Sequence, residues 1–247
     1  MPAYDIIEVM LGTLVSRKSA LVPLLALAVG FFIFGGATAR AQTANAPQFL
    51  LTWQATGSYV PPGYQGKALP NLISTINASM ELIQNGKPVD LSDQTIYWYQ
   101  NDILIGGGTG TRHISFTSFG GAPNFITLKV ELPSYNGGLL LHEIQIPIVQ
   151  PKAVIGAQHP SGQFSGNPLT LQATPYFFNV TDPSSLSYIW SVDGVTATAA
   201  ENPNVLQVNL GANTAPGTVF AVNLTITNST DETTANDATN LTYVPSL

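Results

Sequence analysis

"FITLKVEL", residues 125–132, is the stretch whose reading decides the fold. Ile126, Leu128, Val130 and Leu132 alternate with Thr127, Lys129 and Glu131, the two-residue period that gives a strand one apolar and one polar face. A second run of the same form, "VFAVNLTITN", occupies residues 219–228, with Phe220, Val222, Leu224 and Ile226 on one side. The two runs stand 94 residues apart, and other landmarks keep nearly that interval. Trp98 in "TIYWYQND" and Trp190 in "SYIWSVDG" differ by 92, as do Ile114 and Leu206, and Phe116 and Val208. Order and spacing that persist across two halves predict tandem copies, over 46–150 and 151–247, joined at "IVQPKAV", where Pro151 interrupts strand pairing. A period of this length suits an Ig-like sandwich of about 100 residues and is too long for a solenoid repeat.

The rest of the chain reads the same way. Beyond Gln42 it is a series of short alternating runs separated by Gly, Pro, Asn and Asp, with no long helical stripe. Strands are expected at 49–55, 73–83, 96–100, 103–105, 113–119, 125–132 and 139–149 in the first copy. In the second they are expected at 169–178, 187–192, 205–210, 219–228 and 241–244. "QNGKP" and "SYNGG" are turn signals. Trp98 and Trp190 each fall on a central strand, and their indoles are expected in the inter-sheet core. The fold class is therefore all-β: two tandem Ig-like sandwiches.

Before the sandwiches comes a leader. Residues 19–39, "SALVPLLALAVGFFIFGGATA", carry no charge and follow Arg17 and Lys18, the layout of an export signal. Ala39 and Ala41 form an A-x-A site with cleavage expected between Ala41 and Gln42. The rival reading is an uncleaved anchor, with residues 20–39 in the bilayer and the basic N-terminal end in the cytoplasm. Either way everything after Gln42 is exported, to the periplasm or cell surface. Asp5 and Glu8 are unusual in a signal n-region, and Met10 is the cleaner start.

Composition narrows the function. Hydrophobic residues make up 45% of the 247 and charged residues only 9%, about a third of the ordinary share of roughly 25%. Cleavage after Ala41 removes three of eight basic residues and two of fourteen acids, leaving a net charge of −7. Five scattered basic residues make no stripe for displacing counterions from nucleic acid. The absence of cysteine excludes disulfides, thiolate catalysis and Cys-based zinc sites.

"YIWSVDG" followed by "APGTVFAVNLTITNSTD", residues 188–194 and 215–231, resembles the polycystic-kidney-disease (PKD) and related bacterial Ig-like domains. The family pattern runs Tyr-x-Trp, an Asp-Gly turn, Pro-Gly and a long alternating strand ending in Thr-Asn. Its Phe-Gly-Asp-Gly turn is reduced here to Val192-Asp193-Gly194, and the first copy keeps the tryptophan but loses the glycine. What the resemblance implies is an Ig-like fold outside the cytoplasm and a spacer or contact role, with no site carried over.

No catalytic constellation emerges. "GGGTGTR" at 106–112 has neither a P-loop lysine nor a following helix, and is read as a link between strands where glycine relieves strain. His113, His142 and His159 lack metal-binding spacing, and no G-x-S-x-G elbow occurs. Asp90 with Asp93, and Asp231 with Glu232, read as solvated turn acids before they read as calcium ligands. No cofactor is called for. The best candidates for contact are aromatic: Tyr59 and Tyr64 in the loop "GSYVPPGYQGKALP", residues 57–70, and Tyr97 and Tyr99 flanking Trp98. Exposed, they would stack on a sugar or anchor a protein. Alternatively, Tyr59 and Tyr64 pack their loop against a sandwich and the strand pair covers an inter-domain contact. The expected function is a non-enzymatic structural or contact module of a bacterial envelope, with a protein or surface glycan as partner. Its rivals are an anchored accessory subunit and a carbohydrate-binding module.

Overall fold

The computed structural model describes residues 46–119, 124–156, 159–197 and 202–245. All of these lie in one compact unit, Thr43–Leu247. The expected leader, with its Ala41 and Gln42 junction, lies outside the described residues. Among the described residues no helix is long and apolar enough to cross a membrane.

The described chain is all-β, apart from one 3₁₀ turn at Pro183–Ser185 that Asp182 caps. In the first half, β1 (Gln48–Thr56) and β2 (Thr75–Gln84) pair antiparallel, and β2 also meets the two-residue β3 (Lys87–Pro88) and β6 (His113–Thr117). The facing sheet runs β5–β4–β7–β8, from β4 (Thr95–Gln100), β5 (Ile103–Thr109), β7 (Phe125–Tyr135) and β8 (Gly138–Pro147). The alternation of the long strands turns Ile76, Ala78, Met80 and Leu82 of β2 toward Ile126, Leu128, Val130 and Leu132 of β7. They meet in one core around the fully buried Trp98.

The second half repeats this plan. β9 (Lys152–Ile155), β11 (Leu169–Tyr176) and β14 (Val205–Val208) make one sheet. β10 (Gln163–Phe164), β12 (Ser187–Val192), β13 (Val195–Thr196), β15 (Val219–Asn228) and β16 (Thr233–Tyr243) make the other, in the order β10–β16–β15–β12–β13. A separate core surrounds Trp190. Four strands in the first half and three in the second face a sheet containing the C′–C–F–G strand order of an Ig-like sandwich. The registers agree as well: Trp98 sits opposite Val130, and Trp190 opposite Leu224.

The structure corrects the sequence reading at three points. The first strand after Gln100 does not stop at Ile105, because Gly106, Gly107 and Gly108 belong to β5 itself, beside a bulge opposite Trp98 and Tyr99. A Cβ on Gly107 would stand 2.4 Å from the Ile96 carbonyl, so close strand approach, and not a linking loop, is what demands glycine there. The last strand begins at Thr233, eight residues before the expected 241. "TTANDATN" has too few apolar residues to announce a strand, yet it pairs throughout with β15. Finally, β3, β9, β10 and β13 went unforeseen, β9 being four residues long and the others two.

Candidate contact surfaces

The loop between β1 and β2 leaves the first sandwich and grips the second. Tyr59 and the end of β11 exchange backbone hydrogen bonds, with Tyr59 N–H donating to the Phe178 carbonyl at 2.8 Å and Phe177 N–H to the Tyr59 carbonyl at 2.6 Å. Ser58 forms an isolated antiparallel bridge with Asn179. Buried Asn71 donates its side-chain amide to the Phe177 carbonyl at 2.9 Å, while its Oδ1 accepts from Ile73 N–H and the Ser74 hydroxyl. Presenting these groups requires Phe177 in the left-handed region, at φ +59°, an uncommon state for a bulky residue.

Tyr64 lies edge-on to Tyr176 and Phe177, with centroids 6.0 Å away in both pairs. The loop tyrosines are thus placed at the junction of the sandwiches, although Tyr64 keeps 36% of its surface in solvent. Burial, and then the Asp182 carboxylate, raise the Tyr59 hydroxyl above its usual pKa. The same causes, with Tyr59 as neighbour, push Tyr188 up to about 12. Tyr188 donates its hydroxyl to the Pro183 carbonyl at 3.0 Å.

The same loop sends Lys67 back over Trp53 of β1, its ammonium 3.4 Å from the ring centroid. Partial burial lowers the lysine's pKa. Sequence reasoning missed this pair, along with Asn71, Phe177 and Phe178. The signal available was "PYFFN", residues 175–179, an aromatic cluster just past the periodic part of a strand.

Tyr97 and Tyr99 lie elsewhere, on the outer face of the β5–β4–β7–β8 sheet, half-buried among their neighbours. One cross-strand row of this face is Leu104, Tyr99, Lys129 and Glu143; the next is Gly107, Tyr97, Glu131 and Leu141. Lys129 is the hub. Its ammonium is 2.9 Å from Asp102, 3.2 Å from Glu131 and 4.7 Å from the Tyr99 centroid. Hydrogen bonds to the two carboxylates raise the Lys129 pKa. Desolvation, and next the Glu131 hydrogen bond, raise that of Tyr99. Leu104 and Leu141 are exposed on the same face.

Among the described residues no three His, Asp or Glu side chains gather where they could hold a metal ion. Asp90 accepts from Ser92 N–H, which holds its carboxyl below the usual range. Asp231 accepts from Asn228 and from both N–H and hydroxyl of Thr233. Both carboxylates serve their own turns. A cleft of about 550 Å³ opens between β13 and β14, and among the described residues lining it Tyr188 is the one titratable side chain.

No protein-family model matches the chain, and no curated protein matches it. Solved structures do. The fibronectin(III)-like modules of Clostridium thermocellum CbhA align at 16% identity and TM-score 0.28, over 79% of this chain and 95% of theirs. Three N-terminal domains of the bacteriophage RB49 highly immunogenic outer capsid protein align at 13% identity and TM-score 0.30, over 81% and 71%. The tandem Ig repeats of Dlar align at 12% identity and TM-score 0.26, over 82% and 100%. These scores are low. The fold assignment rests on the strand order and the paired cores, which repeat within the chain itself.

Proposed function

We propose that this chain is a non-enzymatic, exported spacer and contact module. Its two Ig-like domains, 46–150 and 151–247, are held as one body and display the outer β5–β4–β7–β8 face to a protein partner in the bacterial envelope. The observation that carries the reading is the grip of the 57–74 loop on residues 176–179. A flexible tether needs no reciprocal backbone bonds across a junction, whereas a spacer that must present one face in a set direction does. The display face has the mixture found at protein contacts, with aromatic rings and exposed leucines around a charge hub whose Asp102 faces solvent.

The finer assignment of residues 187–231 to the PKD-like group is part of this proposal. Its support is the Tyr-x-Trp on β12, the Asp193-Gly194 turn and the alternation of β15. So is export through the leader, cleaved before Gln42 or retained as an anchor over residues 20–39.

The test is capture of cross-linked partners on intact expressing cells. Wild-type chain should enrich an envelope protein that the double variant Tyr97→Ala, Tyr99→Ala does not, while Tyr64→Ala still does. Equal capture by wild type and double variant, or capture of nothing, overturns the reading. Mass spectrometry of the exported chain settles its first residue.

A further inference from the structure

Each sandwich must deal with the free backbone along the edges of its sheets, because an unpaired strand edge is a template for another chain. Most edges are short: β3, β10 and β13 have two residues each, β9 and β14 four, and β6 five. β5 has a bulge and three consecutive glycines. β1 is nine residues long, with Lys67 leaning over its Trp53, a charge of the kind that discourages edge pairing. β8 differs. It is ten residues long, pairs with β7 alone, and its sequence "GLLLHEIQIP" holds no lysine or arginine and no proline before the last position.

The two halves of the chain show how unusual that is. β16, the counterpart of β8, has a strand on both sides, with β10 parallel along its outer edge at Thr242 and Tyr243. It is also tied across the seam, where Ile155 N–H of β9 donates to Asp237 at 2.7 Å. In the first half the seam between β1 and β8 is bridged by side chains, with Phe49 stacked on His142 at 5.3 Å. The segment after β1, which in the second half supplies β10, is committed to the junction and gives β8 one bond, from Val149 N–H to the Pro70 carbonyl, beyond the strand's end. Gly138–Pro147 is left with an open edge, and Leu139 and Leu141 on its outer face are 60% and 46% exposed.

We propose that β8 pairs antiparallel with β8 of a second copy, about a two-fold axis at Leu141, joining two four-stranded sheets into one of eight. The charge pattern selects this occupant and this direction. The single carboxylate of the strand, Glu143, would fall opposite Leu139 of the second copy. The two Glu143 side chains would lie four residues apart along the strand, roughly 14 Å, beyond the Debye length of about 8 Å. Parallel in-register pairing would place Glu143 against Glu143, which is destabilising. Pairing with β1 of another copy would bring an edge onto Lys67 and generate an open chain of molecules, whereas β8 with β8 closes. Four exposed leucines, two from each copy, would share one face.

The experiment is light scattering and sedimentation on the exported chain as the expressing cell processes it, from about 1 to 200 µM. Wild type should pass from monomer to dimer within that range. Leu141→Lys should weaken dimerisation by about tenfold or more, since two ammonium groups would meet at the axis. Folding of that variant is protected, because Leu141 lies opposite Glu131 on β7, which would pair with the new lysine. Leu139→Lys is the second variant, and tryptophan emission reports the fold of both. The Tyr97→Ala, Tyr99→Ala variant should dimerise like wild type, so this proposal and the partner reading fail separately. A wild type that stays monomeric throughout, or a dimer equally strong in both lysine variants, overturns the inference.

Discussion

Trp98 and Trp190 make the same hydrogen bond 92 residues apart: each indole Nε1–H donates to a carbonyl thirteen positions later, Thr111 at 2.8 Å and Pro203 at 3.1 Å. The bond ties the central strand of each C′–C–F–G sheet to the segment entering the opposite sheet, and it satisfies the one polar atom of a side chain otherwise enclosed in apolar contacts. It is a feature that the two halves share at the same thirteen-residue interval.

Replacing either indole by Phe should therefore be costly in the same way. Trp98→Phe and Trp190→Phe each lose a hydrogen bond and strand a carbonyl, for about 1–3 kcal/mol, before any cavity left by the smaller ring. Urea unfolding of each variant is the measurement. Trp190→Phe should leave the emission of fully buried Trp98 and half-buried Trp53.

Gly107→Ala should destabilise the first sandwich by about 2 kcal/mol or more, because its Cβ would meet the Ile96 carbonyl at 2.4 Å and the Tyr97 ring at 2.7 Å. Gly138→Ala is the control. Its Cβ would meet nothing within 4 Å, and its melting temperature should match wild type.

The junction can be loosened without touching either core. Asn71→Ala removes the amide that reaches the Phe177 carbonyl and leaves buried partners unpaired, at about 1–3 kcal/mol. Small-angle scattering should register a broader distribution of maximum dimensions, and circular dichroism an unchanged sheet content.

Alkaline titration tests the same region. Tyr188 has its folded pKa raised from 10.0 to about 12, so the folded state favours the protonated phenol. Its contribution to stability is complete below about pH 10 and is lost as the pH rises through about 12. Tyrosinate absorbance should show a late-titrating component that is reduced by one tyrosine in Tyr188→Phe, and that variant should lose less stability across this window.

Much of the fold was legible because the long strands are period-two sequences with one solvent face: β15 has the expected bounds, and β7 begins at Phe125 as expected. β16 was not legible. Its inward positions include Asp237 and Thr239 where aliphatic residues would have advertised a strand, and Asp237 is there to accept the Ile155 amide of β9. Tyr59 and Tyr64 stood out in sequence, but their use did not. Whether a loop tyrosine meets solvent or a neighbouring sandwich depends on Phe177 adopting φ +59°, a conformation that sequence periodicity does not encode. Lys67 over Trp53 joins residues fourteen apart through a proline-rich loop, beyond the reach of any local pattern.

The strand order of the second sandwich has a consequence for how the molecule is built. β16, the last of the described strands, lies inside its sheet with β15 on one side and β10 on the other. As the polypeptide emerges amino end first, the first sandwich receives its closing strand, β8, by residue 147 and can consolidate early. Its companion waits for Thr242 and Tyr243, about eighty residues after β10 itself, before β10 has anything to lie against. Truncation after Ala235 would spare the early half and abolish the late one.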